Sequence, residues 1–380
     1  MNAPRIVIAG GGTGGHVAPA IAMADEISAR FGRDAVHFLC SGNEIEHKMI
    51  SHAGYSYSTL RVSKPRRGLL SKTKSVTTAI LSVAPARKLI KQLRADALIS
   101  VGGYVALPGA IGAALKRTPV FLLEANAVPG KVNRRLSGLA KVCYAHLPLT
   151  RQLDCRVEVR GNPVRKAFTS PVEKTVAKRA LGLSTSLPTL LIVGGSQGAE
   201  AINHATLEAA KKNVGWKGRL QVLHITGRDG LESAQAGWRK LGIRHRVTAF
   251  TNNTATWFAA SDIALTRAGA GTISELLCVG VPMLLVPYPH AMDDHQRANA
   301  VHIAEAGAGI MVPQKSLTSE RLIELVEQTL LSDIARERMR NAALNLSTPS
   351  AASDIVDRIL GEIGFSIPEP TADNSSRLAA

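Results

Sequence analysis

Apolar residues along this chain gather in short unbroken runs, and longer stretches with helical spacing separate them. The runs at 5–10, 35–39, 97–101, 120–123, 142–145, 189–193, 221–225, 247–250, 263–266 and 283–286 predict strands. They are rich in Val, Ile and Leu and do not alternate with polar residues, which suits parallel strands buried on both faces. Helical spacing predicts helices over 18–30, 86–93, 199–212, 272–279 and 294–306, with an amphipathic one over 353–363. Alternation of strand and helix predicts an α/β chain with doubly wound parallel sheets.

The alternation comes twice. One half begins IVIAGGGTGGHVAPAIA at Ile6, the other LLIVGGSQGAEAIN at Leu190. Each is an apolar strand, a glycine turn and then a helix. A chain of 380 residues also exceeds what one core supports, since cores rarely grow past about 250–300 residues. The pattern therefore predicts two Rossmann-like domains facing a cleft, 1–163 and 164–350, hinged at Gly161-Asn162-Pro163. The polar, proline-bearing end, 365–380, reads as a disordered tail.

Composition narrows the function classes. At 45% hydrophobic and 20% charged residues the chain is of ordinary globular type, and 4% aromatic residues leave little for stacking single-stranded nucleic acid. The net charge of +17 favours an anionic partner. It is concentrated: no acid lies between Glu46 and Asp96, while Lys48, Arg61, Lys64, Arg66, Arg67, Lys72, Lys74, Arg87, Lys88, Lys91 and Arg94 all do. The four cysteines are scattered, with no CxxC pair to suggest zinc or redox chemistry, and no signal peptide precedes the first strand, so a reducing cytoplasm is expected. The uncharged stretches 97–115 and 180–199 carry glycine and proline in mid-run, which fits strand, loop and helix and not a membrane span.

A glycine turn between strand and helix presents backbone N–H groups at the positive end of a helix, where a phosphate can approach. Gly10-x-Gly12-x-x-Gly15 has the dinucleotide spacing, but the second strand ends Leu39-Cys40-Ser41-Gly42, without the acid that would hold a ribose. Nicotinamide binding is therefore disfavoured. His16 stands directly behind the turn. It is either a packing or capping residue or a general base, and the helix end favours the neutral imidazole that a base needs. In the second half, strand 263–266 leads through Gly269 and Gly271 to Thr272-Ile-Ser-Glu275. This is either a capping box or a diphosphate site with Glu275 on a ribose. The segment from His290 to Asn299 offers side chains able to grip sugar hydroxyls. It could also be a helix start capped by Asp293 or Asp294, or, less favoured, a metal site using His290 and His295.

Six motifs in order, GGGTGGHVAPA at Gly10, GGYVALPGA at Gly102, EANAVPG at Glu124, GNPVR at Gly161, GGSQGAEAIN at Gly194 and RAGAGTISELLCVGVPMLLVPYPHAMDDHQRANA at Arg267, carry a resemblance that spans 5–363. The chain resembles the MurG family, the bacterial N-acetylglucosaminyltransferases that complete the lipid-linked peptidoglycan precursor in cell-wall synthesis. The resemblance implies the GT-B fold and no metal or other cofactor. Residues 1–163 would be the acceptor- and membrane-facing domain, with helix 351–364 returning to it, and 164–350 the UDP-sugar domain. It implies donor contacts from Ser196 and Arg165 to phosphates and nucleotide, from the Thr251 backbone to uracil, from Ala270, Gly271, Thr272, Ile273 and Ser274 to the diphosphate, and from Glu275 to the ribose. Gln296 and Asn126 match contacts to the sugar hydroxyls. Thr13, Gly14 and Gly15 match a turn at the reaction centre, His16 the proposed base, and Gly102, Gly103 and Tyr104 an acceptor loop. One departure stands out, Leu123-Glu124-Ala125-Asn126 where the family has His-Glu-Gln-Asn.

The partners implied are UDP-N-acetylglucosamine, undecaprenyl-diphosphate-linked N-acetylmuramoyl-pentapeptide, the anionic inner face of the cell membrane and other cell-wall synthesis proteins, with no nucleic acid. The implied reaction is inverting transfer to the acceptor's 4-hydroxyl, with Leu69, Leu70, Ile80 and Leu81 meeting lipid. The alternatives are a GT-B transferase acting on a different lipid acceptor, a nicotinamide-dependent oxidoreductase and a non-catalytic binder of anionic surfaces.

Overall fold

The structure, a computed structural model, describes residues 3–11, 14–63, 69–195 and 198–365. The expected site residues Thr13 and Ser196, the basic residues Lys64, Arg66 and Arg67, and the expected tail beyond Phe365 lie outside the described residues.

Two units form along the chain, Met1–Arg165 with Ser350–Ala380, and Lys166–Pro349. The first holds strands β1 (Ile6–Ala9), β2 (Val36–Cys40), β3 (Ser56–Thr59), β4 (Ala97–Ser100), β5 (Val120–Glu124), β6 (Val142–Ala145) and β7 (Arg156–Val159). They form one sheet in the order β3-β2-β1-β4-β5-β6-β7, parallel throughout. The second holds β8 (Thr189–Val193), β9 (Gln221–Ile225), β10 (His245–Thr248), β11 (Ile263–Thr266), β12 (Met283–Leu285) and β13 (Gly309–Met311). Their order is β10-β9-β8-β11-β12-β13, again parallel. Counted from its own first strand, the second sheet winds 3-2-1-4-5-6, the Rossmann order, and the first winds the same way with a seventh strand added at its edge, which puts each switch point between the first and fourth strands.

Apolar clusters cover both faces of both sheets. Ile6, Ile8, Met23, Ile27 and Ile99 lie on one face of the first sheet, and Val7, Leu39, Ile90, Leu98 and Leu122 on the other. The second sheet has Leu191, Leu223, Phe258, Ile273 and Met283 on one face and Leu190, Ile192, Trp216, Val222 and Leu265 on the other. The helix Ala351–Glu362 packs Ile355, Val356, Ile359 and Leu360 into the first unit's core. Arg30 of the helix Gly14–Phe31 anchors it by pairing with Asp357 and donating to Ser353 Oγ at 2.8 Å.

The strands missing from the apolar pattern, β3, β7 and β13, all lie at sheet edges. The fourth edge strand, β10, spans 245–248 and not 247–250. β13 is only three residues long, with Ile310 and Met311 partly buried on opposite faces of its sheet, too short for a distinct apolar run. Ser-Tyr-Ser-Thr in β3 and Arg-Val-Glu-Val in β7 are mostly exposed and carry no continuous apolar run.

One buried ion cluster bolts the second unit together. Asp262, just before β11, accepts from Lys174 Nζ at 2.7 Å, from the nearly inaccessible Lys178 Nζ at 2.9 Å, and from Thr189 N at 2.8 Å. Burial by itself would raise the carboxyl pKa, but the two ammonium groups outweigh it and hold it below its ordinary value. The stability Asp262 contributes is therefore complete above the ordinary aspartate pKa and drains away as pH falls toward the folded value. Asp262→Asn strands the Lys178 ammonium and should cost about 3 kcal/mol at pH 7. In urea melts the gap from the parent should narrow below about pH 4.

Candidate active site

At the switch point of the first sheet, β1 runs into Gly10 and Gly11, and β4 runs into Gly102 and Gly103. The two strand ends touch backbone to backbone. Gly11 N donates to Gly102 O at 3.3 Å. Gly103 has φ +83, and a Cβ there would stand 2.2 Å from Gly11 O. Only glycine permits both the angle and the approach. The helix Gly14–Phe31 starts four residues before the sequence pattern suggests, so His16 lies within its first turn, half-buried. Its ring stands against the Gly102 loop: a Cβ on Gly102 would meet His16 Nε2 at 3.4 Å. Gly14, Gly15, His16, Gly102, Gly103 and Tyr104, widely separated in the chain, thus converge on one strand-end surface. Behind the turn, the buried Glu46 carboxylate accepts from Ser41 N and Oγ at 2.9 Å and presses on Gly11, where a Cβ would lie 2.4 Å from Oε1. The sequence pattern marked Glu46 only as the last acid before the basic stretch.

The third member of this surface is held by Glu124. Its buried carboxylate, at the end of β5, accepts from Asn126 N at 3.1 Å, Asn126 Nδ2 at 3.3 Å, Gly130 N at 2.8 Å and Asn133 Nδ2 at 2.9 Å. Asn133 in turn accepts from Ser100 Oγ at 3.5 Å, and Ser100 Oγ accepts from Gly102 N at 3.4 Å. A continuous polar chain therefore runs from Asn126 to the loop that faces His16. Leu123 packs in the core beside Phe121, so it is a strand residue and not a wall of the polar surface.

The second sheet repeats the plan. β8 leads into Gly194 and Gly195, and β11 leads through Arg267 and Ala268 to Gly269. The helix begins at Ala270, with Gly269 at the cap in extended conformation (φ −73°, ψ 132°) and no side-chain cap bond. The capping-box reading is therefore corrected: Thr272 is the helix's third residue and cannot be its cap. The first intrahelical bond, Ile273 N to Gly269 O at 3.0 Å, leaves the N–H groups of Ala270, Gly271 and Thr272 heading the helix. Nothing lies within 4 Å of where a Cβ would stand on Gly269 or Gly271, so the space beside these two glycines is open. Ile273 is buried in the core, and the Ser274 hydroxyl donates back to Ala270 O at 2.7 Å. The Ile273 N–H is spent on Gly269 O, so neither residue joins the three leading N–H groups, and the half-buried Glu275 lies one turn further on.

Three side chains tie the neighbouring loops to this helix start. Asn299, wholly buried, donates to Ala268 O at 3.1 Å, so it is an anchor of the loop and not a sugar-gripping group. The Arg267 guanidinium donates to Val286 O at 3.1 Å and Pro287 O at 3.4 Å and stacks over Tyr288. Gln296 Oε1 accepts from Tyr288 N at 2.9 Å, which turns its NH2 group outward as a donor. The helix bearing Gln296, His295–Glu305, is entered through Asp293 and Asp294, both left-handed, and Asp294 at the cap position makes no side-chain cap bond. His295 Nδ1 bonds Met292 O at 2.7 Å and His290 packs on Tyr288. Among the described residues no group of three or more His, Cys, Asp and Glu could hold a metal ion. Thr251 lies three residues past β10, with Oγ1 accepting from Asn253 N at 3.1 Å. Arg165 closes the first unit's main segment.

Residues 6–145 match the glycosyltransferase family 28 N-terminal domain and 189–359 the glycosyltransferase family 28 C-terminal domain. This chain belongs to glycosyltransferase family 28. A relative from Geobacter sulfurreducens is 34% identical over 94% of this chain and 98% of its own length. One from Stutzerimonas stutzeri is 36% identical over 93% and 98%. Both are named UDP-N-acetylglucosamine--N-acetylmuramyl-(pentapeptide) pyrophosphoryl-undecaprenol N-acetylglucosamine transferase. The crystal structure of Acinetobacter baumannii MurG superposes with a TM-score of 0.74 at 29% identity, covering 94% of this chain and 99% of that one. The fold is thus GT-B, two Rossmann-like domains, and the protein is a glycosyltransferase.

Gly103→Ala should separate the β1 and β4 strand ends. The φ strain and the contact with Gly11 O together are expected to cost at least about 2 kcal/mol and to abolish most transferase activity. Thermal melts and initial rates check this, and an active, equally stable variant would contradict the described loop packing.

Proposed function

We propose that this chain transfers N-acetylglucosamine from UDP-N-acetylglucosamine to the 4-hydroxyl of the N-acetylmuramoyl-pentapeptide borne by undecaprenyl diphosphate, forming the disaccharide lipid precursor of peptidoglycan with inversion at C1. The observation that carries this reading is the open helix start at Ala270, Gly271 and Thr272, at a Rossmann switch point, in a chain related over nearly its full length to transferases named for that reaction.

UDP is the leaving group, and negative charge grows on its diphosphate as the bond to C1 stretches toward an oxocarbenium-like transition state. The backbone N–H groups at the head of helix Ala270–Val279 stabilise that charge electrostatically. Arg165 and Ser196 assist at the phosphates, the Thr251 backbone receives the uracil, and Glu275 accepts from the ribose hydroxyls. Gln296, with its NH2 presented outward, and Asn126, steadied by Glu124, bind the sugar hydroxyls. His16 takes the proton of the attacking 4-hydroxyl, flanked by Thr13, Gly14 and Gly15, while Gly102, Gly103 and Tyr104 receive the acceptor.

No described helix is long and apolar enough to cross a membrane. The helix Leu69–Leu81, however, leaves Val76, Ile80 and Leu81 exposed, and Arg87, Lys88, Lys91 and Arg94 beside or on the next helix, Val83–Leu93, are exposed as well. Exposed apolar groups next to clustered cations suit peripheral attachment to the anionic inner face of a bacterial membrane.

The test is transfer of labelled N-acetylglucosamine from its UDP ester to the lipid-linked acceptor. His16→Ala should lower kcat by about 10²- to 10⁴-fold, the usual weight of a general base, with UDP affinity unchanged. Unaltered turnover in this variant would remove His16 from the base role, and UDP release indifferent to the acceptor would contradict the proposed reaction.

A further inference from the structure

In the second unit a histidine that no ligand contact requires lies at the centre of a buried polar chain. His224, on β9, is wholly buried. Trp238, on the helix Leu231–Leu241, donates from Nε1 to His224 Nδ1 at 3.1 Å, and His224 Nε2 stands 2.9 Å from Asn203 Oδ1. An indole N–H can only donate, so Nδ1 is bare and Nε2 carries the proton. That proton is donated to Asn203 Oδ1, which fixes the amide's orientation and aims Nδ2 at Thr226 O, 3.0 Å away. Each donor meets an acceptor in one arrangement only. A proton on Nδ1 would set two donors against each other, and burial pushes the imidazole pKa down to about 3, which keeps the ring neutral.

The chain ends on the second glycine turn. Thr226 O, the acceptor for Asn203, is also the atom that crowds Gly198, where φ is +77 and a Cβ would lie 2.6 Å away. Asn203 belongs to the helix Glu200–Lys212 that the turn feeds, and its own N–H donates to Ala199 O at 2.9 Å. Rotation of the Asn203 amide would remove the donor that holds Thr226 O and let the end of β9 shift relative to Gly198. Neither Trp238 nor His224 touches the open space at a strand end, so the effect would pass through Asn203.

We propose that His224, oriented by Trp238 and acting through Asn203, is a positioning residue that sets Gly198 and the head of the helix Glu200–Lys212 for the diphosphate of the nucleotide donor. This rests on the reading that the second unit binds the UDP moiety.

Equilibrium binding of UDP and of uridine, which lacks the diphosphate, tests it on the full chain. His224→Leu should weaken UDP binding about tenfold, as a small misplacement of a binding group does, and leave uridine affinity unchanged. His224→Gln, whose amide can still donate to Asn203, should recover most of the loss. Trp238→Phe, which keeps a ring and removes only the indole N–H, should show the same UDP-selective loss and serves if the leucine variant does not fold. Equal weakening of both ligands, or full UDP affinity in folded variants, would overturn the positioning role. A parent protein that binds neither ligand would instead overturn the donor-site reading, and this inference with it.

Discussion

Backbone pressed against backbone at the carboxyl ends of parallel strands is the constraint on which the rest of this molecule depends. In the first unit the Gly102–Gly103 loop lies on Gly10 and Gly11 with no room for a side chain, and in the second Gly198 lies on the end of β9 in the same way. In the first unit these ends, β1 and β4, flank the switch point of the parallel order, where the crossovers diverge to opposite faces; in the second, β8 and β9 are neighbours on one side of it, and the switch point lies between β8 and β11. A helix starts directly behind each turn, so its unpaired N–H groups and positive end point at the same opening. On the proposed reading, main-chain geometry prepares the hold on a departing diphosphate before any side chain acts.

A set of polar side chains holds the loops in place. Glu46, Glu124, Asn133, Arg267, Asn299 and the His224–Asn203 pair are spent on backbone groups or on each other. Buried polar groups must be matched or they destabilise, and here the matching rigidifies the surfaces on which His16, Asn126 and Gln296 stand. Glu124 illustrates the economy of this arrangement: one carboxylate gathers Asn126, Gly130 and Asn133, and through Ser100 reaches the Gly102 loop.

Much of the fold is legible in the chain because both sheets are covered on both faces, so their central strands become continuous apolar runs. What the pattern misses lies at the sheet edges: β3 and β7 have little to bury, β13 is only three residues long, and β10, the remaining edge, is displaced by two residues. The glycine turns and His16 are legible because their chemistry is local in sequence. The start of the helix at Ala270 is not, since Thr-Ile-Ser-Glu imitates a capping box while Gly269 occupies the cap. The roles of Asn299 and His224 are legible only in three dimensions. Their partners, Ala268 O and the pair Asn203 and Trp238, are set by tertiary packing, and an isolated Asn or His in sequence does not reveal which carbonyl or indole it will meet.

The central claim is that the two strand-end turns of the second unit receive the nucleotide of the donor through backbone N–H groups. Amide hydrogen exchange with and without UDP addresses those groups directly. Saturating UDP should slow exchange in peptides covering 194–203 and 267–276, with little change in those covering 5–17 and 97–106. Protection confined to the first unit, or absent from the segment that begins helix Ala270–Val279, would contradict the account.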